Sequence, residues 1–237
     1  MPLERLDKIV SSVCEVSRKD ARFLIKRGDV TVDGTTVKTA DVRIDTDSSQ
    51  ISVSGERKNY KRFVYIMLNK PSGILSASND KTRETVVDIV KSGFCRDGLF
   101  PVGRLDKDTT GLLIVTDDGD FGHRVISPKS YIEKEYIAVT DKPITDDDIA
   151  VLEKGVTLAD GTECRPARAK VMSEDGMTVS IVITEGKYHE IKRMLGVVGA
   201  GVNRLHRKRI GALELDGSLD FGEFRELTDE EIACIWN

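Results

Sequence analysis

Pro101-Val-Gly-Arg-Leu-Asp-Lys-Asp-Thr-Thr-Gly-Leu-Leu-Ile-Val-Thr-Asp-Asp-Gly-Asp120 joins two unlike halves. The first is polar, with Arg104 and Asp106 bracketed by Gly103 and Gly111; the second is an apolar run ended by Thr116-Asp-Asp-Gly119. A short apolar run between turn signals predicts a strand. The stretch therefore predicts a polar loop presented by a rigid element, a construction suited to a site. Arg104 and Asp106 are the candidate residues it offers. Residue types alone do not choose among its carboxylates, because Asp108, Asp117, Asp118 and Asp120 lie close by in a chain of 40 acidic residues. An aspartate is most often a solvated turn residue.

Working outward, Phe63-Val-Tyr-Ile-Met-Leu68 predicts a buried strand ended by Asn69-Lys-Pro-Ser-Gly73. Further strands are expected over 136–139, 168–172 and 178–184, with helices near 83–92, 145–154, 188–198 and 228–236. Thr228-Asp-Glu-Glu231 is a capping box that starts the last of these. The elements do not alternate regularly, so the fold class is α+β: a mixed, mainly antiparallel sheet with peripheral helices, not a doubly wound fold. No internal repeat is present.

Toward the amino terminus, Leu3, Leu6, Ile9, Val10 and Val13 follow helical spacing and predict a helix over 3–13. A second helix starts at the capping box Ser17-Arg-Lys-Asp20 and stops at Gly28. Val30-Thr-Val32, the Asp33-Gly34 turn, Val37, Val42-Arg-Ile44 and Ile51-Ser-Val53 predict small strands joined by tight turns. The polar stretch 54–62 reads as a linker. Two domains are expected, 1–58 and 59–237.

With 39% hydrophobic and 32% charged residues, 6 Pro and 20 Gly, the composition excludes disordered, collagen-like and membrane-embedded classes. No apolar run approaches the roughly 18 residues of a bilayer span, and residues 1–8 lack an apolar signal stretch, so a soluble cytoplasmic protein is expected. Cys14, Cys95, Cys164 and Cys234 are too widely spread for a C-x-x-C site, and His123, His189 and His206 have no metal-ligand spacing, so no metal is expected. Net charge is −4, but residues 187–209 hold seven cations against one acid and residues 5–27 hold seven against three. Two basic islands thus sit in an acidic body. Nucleic-acid binding draws on such local charge more than on the total.

Gly103-Arg-Leu-Asp-Lys-Asp-Thr-Thr-Gly-Leu-Leu113 resembles the catalytic signature of the pseudouridine synthases that modify ribosomal RNA. The resemblance implies that Asp106 is the essential aspartate. Glu133-Lys-Glu-Tyr136 is similar to the segment supplying that family's active-site tyrosine, which places it at Tyr136. Glu185-Gly-Lys-Tyr-His-Glu-Ile-Lys-Arg-Met194 resembles a third motif, whose basic residue falls on Lys192, and departs from many relatives in carrying Glu190 where they have glutamine. Val202-Asn-Arg-Leu-His-Arg-Lys-Arg-Ile-Gly211 is similar to the closing motif, with its pocket leucine at Leu205. Glu4-Arg-Leu-Asp-Lys8, Ser17-Arg18 and Gly28-Asp-Val-Thr-Val-Asp-Gly34 resemble the S4 RNA-binding domain. Lys70-Pro71, Thr116-Asp-Asp-Gly119 and Leu227-Thr-Asp-Glu-Glu-Ile232 look most like members acting on the 16S RNA of the small ribosomal subunit.

What the resemblance implies is chemically coherent. Turning uridine into pseudouridine breaks the N-glycosidic bond, rotates the base and rejoins it through C5, which requires no cofactor. An ionised Asp106 can serve as nucleophile or as base at the ribose, and Lys192 beside it would hold it ionised. Tyr136 would stack on the uracil and offer a phenolic oxygen near C5, with Leu205 on the other side. Arg104 would hold the RNA open around the extruded base. Arg204, Arg207 and Arg209 would grip the RNA backbone, with Arg18 and Lys19 as a second anchor. The expected partner is 16S ribosomal RNA or a small-subunit assembly particle, bound by a monomer with no membrane role. The alternatives are a relative modifying large-subunit (23S) RNA, a non-catalytic rRNA-binding assembly factor, and, well behind, a glycoside hydrolase pairing Asp106 with Asp108.

Overall fold

Leu6, Ile9 and Val10 are fully buried, whereas Leu3 is 55% exposed and lies outside their stripe. The first helix, α1, accordingly covers Leu6–Val13, and Leu3–Arg5 forms a strand, β1, instead of the helical turn expected there. In this computed structural model, which describes residues 3–46, 48–94 and 96–236, the chain forms two compact units. One comprises Met1–Val64 with Lys91–Asp97, the other Tyr65–Val90 with Gly98–Asn237. Cys95 lies outside the described residues.

In the first unit, α2 (Arg18–Arg27) is capped as its sequence predicts: the Ser17 side chain accepts from Asp20 N, and Gly28 closes the helix in the left-handed conformation. Five strands follow: β2 (Val30–Val32), β3 (Thr35–Thr36), β4 (Arg43–Asp45), β5 (Ile51–Val53) and β6 (Glu56–Lys58). Strand β4 pairs with β1, while the others form a sheet in the order β3-β2-β5-β6. The linker expected over 54–62 is therefore partly a hairpin. Ser54 and Gly55, both at positive φ, turn the chain so that Lys58 pairs with Ile51. Its polarity reflects a solvent-facing edge strand.

The unit continues past the boundary expected at 58. Tyr60 packs against its core, and Val64 is buried. Arg96, 8% exposed, donates to Ser12 Oγ (2.5 Å) and to the carbonyls of Lys61 (3.0 Å) and Arg62, and its guanidinium lies over the Tyr60 ring.

The second unit contains β7 (Tyr65–Lys70), α3 (Val86–Lys91), β8 (Phe100–Pro101), β9 (Thr110–Thr116), α4 (Gly119–Ile126), β10 (Lys134–Thr140) and α5 (Asp146–Glu153). These are followed by β11 (Val156–Thr157), β12 (Glu163–Cys164), β13 (Arg168–Val171), β14 (Thr178–Ile183), α6 (Glu190–Val197), β15 (Val202–Ile210), β16 (Leu213–Glu214), β17 (Phe224–Glu226) and α7 (Asp229–Cys234). The sheet runs β13-β14-β10-β15-β9-β7-β17, with β8 on β9 and β16 on β15. Its ladders are antiparallel except β15–β9, which is parallel. Two elements depart from expectation. Helix α4 forms where the sequence pattern assigns no element, because Asp118 caps it by accepting from Phe121 N (3.1 Å) and receives the Tyr65 hydroxyl (2.7 Å). The basic motif at 202–210 is a nine-residue central strand.

That central crossing depends on Gly111, which sits at φ +101 opposite Arg207 in the parallel pair. A Cβ there would lie 2.3 Å from the Arg207 carbonyl oxygen and 2.8 Å from its nitrogen. Gly111→Ala should cost about 3 kcal/mol, combining positive-φ strain with an overpacked backbone contact. Chemical denaturation measures it, and an unchanged midpoint would contradict the close approach.

Candidate active site

Strand β7 ends in Lys70, whose side chain is completely buried. Its ammonium donates to the carbonyls of Pro71 (3.0 Å), Asp106 (3.2 Å), Lys107 (3.2 Å) and Thr109 (2.9 Å). Burial pushes its pKa down to about 8, opposed by the nearby Asp108 and Asp106 carboxylates. The polar loop before β9 is thus wrapped around a desolvated cation. Ser76 fastens the same loop, accepting from Leu105 N (3.1 Å) and donating to its carbonyl (2.9 Å). Gly73 N donates to Lys107 O (2.8 Å). These bonds use main-chain atoms of the loop and leave the Asp106 carboxylate available.

That carboxylate is 26% exposed. Its Oδ2 lies 3.6 Å from Lys192 Nζ and its Oδ1 3.5 Å from His189 Nε2. Both partners come from the start of α6. The ammonium of Lys192 contacts Asp108 more tightly, at 2.6 Å, and this hydrogen bond holds the Asp108 carboxyl below its ordinary range. One cation therefore serves two carboxylates.

Tyr136 on β10 is 8% exposed and Leu205 on β15 is 7% exposed. Both line a cavity of about 60 Å³ together with Arg104, Asp106 and Thr109. A second hollow beside it is lined by Asp106, Asp108, His189 and Lys192. Four predicted residues, Asp106, Arg104, Tyr136 and Leu205, thus meet in one cavity, with Lys192 beside the carboxylate. The Arg104 side chain is exposed at this place.

Two of the arginines expected to hold RNA backbone do not face solvent. Arg207 is 3% exposed; it stands opposite Tyr136 in the ladder, donating to Leu112 O (2.7 Å) and lying 3.4 Å from the Tyr136 hydroxyl. Arg209 is bound by Glu135 (3.0 Å) and Glu133 (3.2 Å). Strand alternation explains the error: a basic run folded into a central strand must turn part of its charge inward, where carbonyls and carboxylates meet it. Arg204 remains exposed on β15. In the first unit Lys19 is exposed, while Arg18, 45% exposed, lies 3.7 Å from the buried Asp7 carboxylate.

Lys70 and His189 are site residues that sequence reasoning passed over. Lys70 carried a signal in the dipeptide Lys70-Pro71, but nothing local shows that its side chain is buried. His189 was weighed only for metal spacing, and its contact with Asp106 spans 83 residues of chain. Among the described residues, one group could offer ligands to a metal ion: Cys164, Glu185 and Glu190, all buried, with atoms within 4.8 Å of one another. Lys187 already neutralises Glu185 at 2.5 Å.

Glu190 is 4% exposed, and its Oε2 accepts from Lys187 N (2.8 Å). Burial, and then the adjoining Glu185 carboxyl, push Glu190 up to about 7 from an ordinary 4.5. The native state therefore binds a proton there that the unfolded chain releases earlier, so stability falls as pH rises between those two values and levels off above them. Glu190→Gln should remove this slope. We expect the variant to be more stable than wild type near pH 8, on the order of 1–2 kcal/mol, and equal to it near pH 4. Urea denaturation at both pH values checks this; an equal difference at the two would contradict the buried protonated carboxyl.

The sequence pattern of the RNA pseudouridylate synthase family matches residues 64–196, and that of the S4 domain matches residues 4–48. An uncharacterized RNA pseudouridine synthase of Bacillus subtilis is 42% identical over 98% of both chains. Proteins named ribosomal small subunit pseudouridine synthase A are similar over 98% of this chain and 99% of their own, at 40% identity in Vibrio vulnificus and 38% in Escherichia coli. A crystal structure of a pseudouridylate synthase superposes with a TM-score of 0.68 and 34% identity, covering 98% of this chain and 99% of that one. Among the described residues no helix is long and apolar enough to cross a membrane. With its mixed sheet, its amino-terminal S4 domain and full-length likeness to these proteins, the chain belongs to the RNA pseudouridylate synthase family.

Proposed function

We propose that this protein converts a uridine of 16S ribosomal RNA into pseudouridine, with the Asp106 carboxylate acting at the ribose. The observation that carries the assignment of the site is the meeting of Asp106, Tyr136, Leu205 and Arg104 in one cavity, with Lys192 beside the carboxylate. The 16S target is supported by the names of the Vibrio and Escherichia relatives.

In the proposed reaction the bond from C1′ to N1 breaks and a bond from C1′ to C5 forms; C5 loses its proton and N1 regains one, so atoms balance without any added reagent. Asp106 enters as nucleophile or as base at the sugar. Lys192 and His189 stand 3.6 and 3.5 Å from the carboxylate oxygens, while the grip of Lys70 on the loop carbonyls fixes where the carboxylate stands. Tyr136 offers its ring and phenolic oxygen to the base, and Arg207 underneath orients that phenol. The opposite wall is Leu205. A uridine must leave its stack to enter so small a cavity. Arg104 at the mouth, Arg204 on β15, and Arg18 and Lys19 on the first unit are then the proposed RNA contacts.

Asp106→Asn should leave the fold intact, because the loop is held through main-chain atoms. It should lower product formation at least about a hundredfold. Incubating wild type and variant with small-subunit RNA and mapping pseudouridine chemically tests this, and equal product from both would overturn the role. If the four named cations each neutralise a phosphate, log affinity should fall against log salt with a slope of about −3. Filter binding over a salt series measures it; a flat line would remove the phosphate contacts from the proposal.

A further inference from the structure

Tyr188 is 76% exposed, more than any other large hydrophobic side chain among the described residues. It packs into no core. One face of its ring is stacked on His189, with centroids 3.8 Å apart and planes 20° from parallel. That imidazole is in turn 3.5 Å from the Asp106 carboxylate. His189 is held in the left-handed region at φ 50, at the entry to α6. Phenol ring, imidazole and carboxylate thus form a short relay from solvent into the site.

Tyr188 also lines a hollow of about 320 Å³ that it shares with Asp106, Arg104 and Lys107. A flat, water-exposed π-face lining one hollow with Arg104 and Lys107 matches a nucleotide: the ring suits a base, and the cations suit its phosphates. The target uridine itself is spoken for by Tyr136 and Leu205, which are buried deeper in the adjoining cavity. When that uridine swings out, its neighbour loses a stacking partner. An exposed aromatic at the mouth can replace what was lost.

We propose that Tyr188 is the stacking platform for the nucleobase adjacent to the target uridine. This rests on the uridine-isomerising reading of the site given above. The ring is a substrate-positioning element; the hydroxyl, which has no hydrogen-bond partner among the described residues, takes no part. Stacking of this kind is worth roughly a tenfold change in binding when the aromatic is truncated.

The experiment uses the full chain and small-subunit ribosomal RNA, with the modified uridine first mapped using wild type. Steady-state kinetics of Tyr188→Ala should show KM raised about tenfold with kcat within about twofold of wild type, and Tyr188→Phe should restore KM. Transcripts carrying an abasic site on one or the other side of the mapped uridine then form a cycle with Tyr188→Ala. On one flank the abasic substitution should erase the penalty of the mutation. An unchanged KM, a fall confined to kcat, failure of the phenylalanine variant to rescue, or an undiminished penalty on both flanks would each overturn the platform while leaving the isomerase reading standing. No pseudouridine from wild type would overturn the isomerase reading, and the platform with it.

Discussion

The site is organised around a buried positive charge. Lys70 carries an ammonium with no solvent access into the interior, where an uncompensated ion costs several kcal/mol. Its compensation is the ring of carbonyls at Pro71, Asp106, Lys107 and Thr109, so the polar loop must close around it. The position of the Asp106 backbone follows from that closure, and the reach of its carboxylate toward α6 follows in turn. Strand β7 pairs with β9 from Tyr65 to Lys70, so the anchor and the loop it holds are fixed in one ladder.

The parallel contact between β9 and β15 is the second constraint. It brings the strand bearing Leu205 against the strand that begins just after the polar loop, and it tolerates no side chain at Gly111. Because β15 also pairs with β10, Tyr136 and Leu205 reach the same cavity from adjacent strands. The loop supplies charge, the sheet supplies the two walls, and the start of α6 supplies Lys192 and His189. Each contribution is rigid for a different reason: carbonyl dipoles closed around a buried ion, a hydrogen-bonded ladder, and a buried helix face carrying Ile191, Met194 and Leu195.

Much of this was legible in the sequence wherever the signal was local. The apolar runs marked β7, β9 and β14, and the Ser17 and Thr228 boxes marked helix starts that the structure shows with their capping bonds in place. Asp106, Tyr136 and Leu205, named from motifs far apart in the chain, line one cavity. What escaped notice depends on partners distant in the chain. Arg207 and Arg209 belong to a run that looks solvated, and only the pairing of β15 with β10 and β9 shows one turned inward and the other locked to Glu133 and Glu135. Lys70 reads as a surface lysine until the loop from residue 106 arrives over it. The polar stretch at 54–62 looked like a tether because an exposed edge strand and a linker have similar compositions.

Arg96 bears on how the family's modules can be recombined. The first compact unit is built from two stretches of chain, and its guanidinium ties the later stretch to Ser12, Lys61 and Arg62 of the earlier one. A cut after residue 58 would leave Arg96 the Lys61 and Arg62 carbonyls on its own fragment, but it would take away Ser12 and split the first compact unit. Grafting this amino-terminal module onto another enzyme would therefore require carrying two separate pieces of gene, and shuffling at a single junction would be selected against.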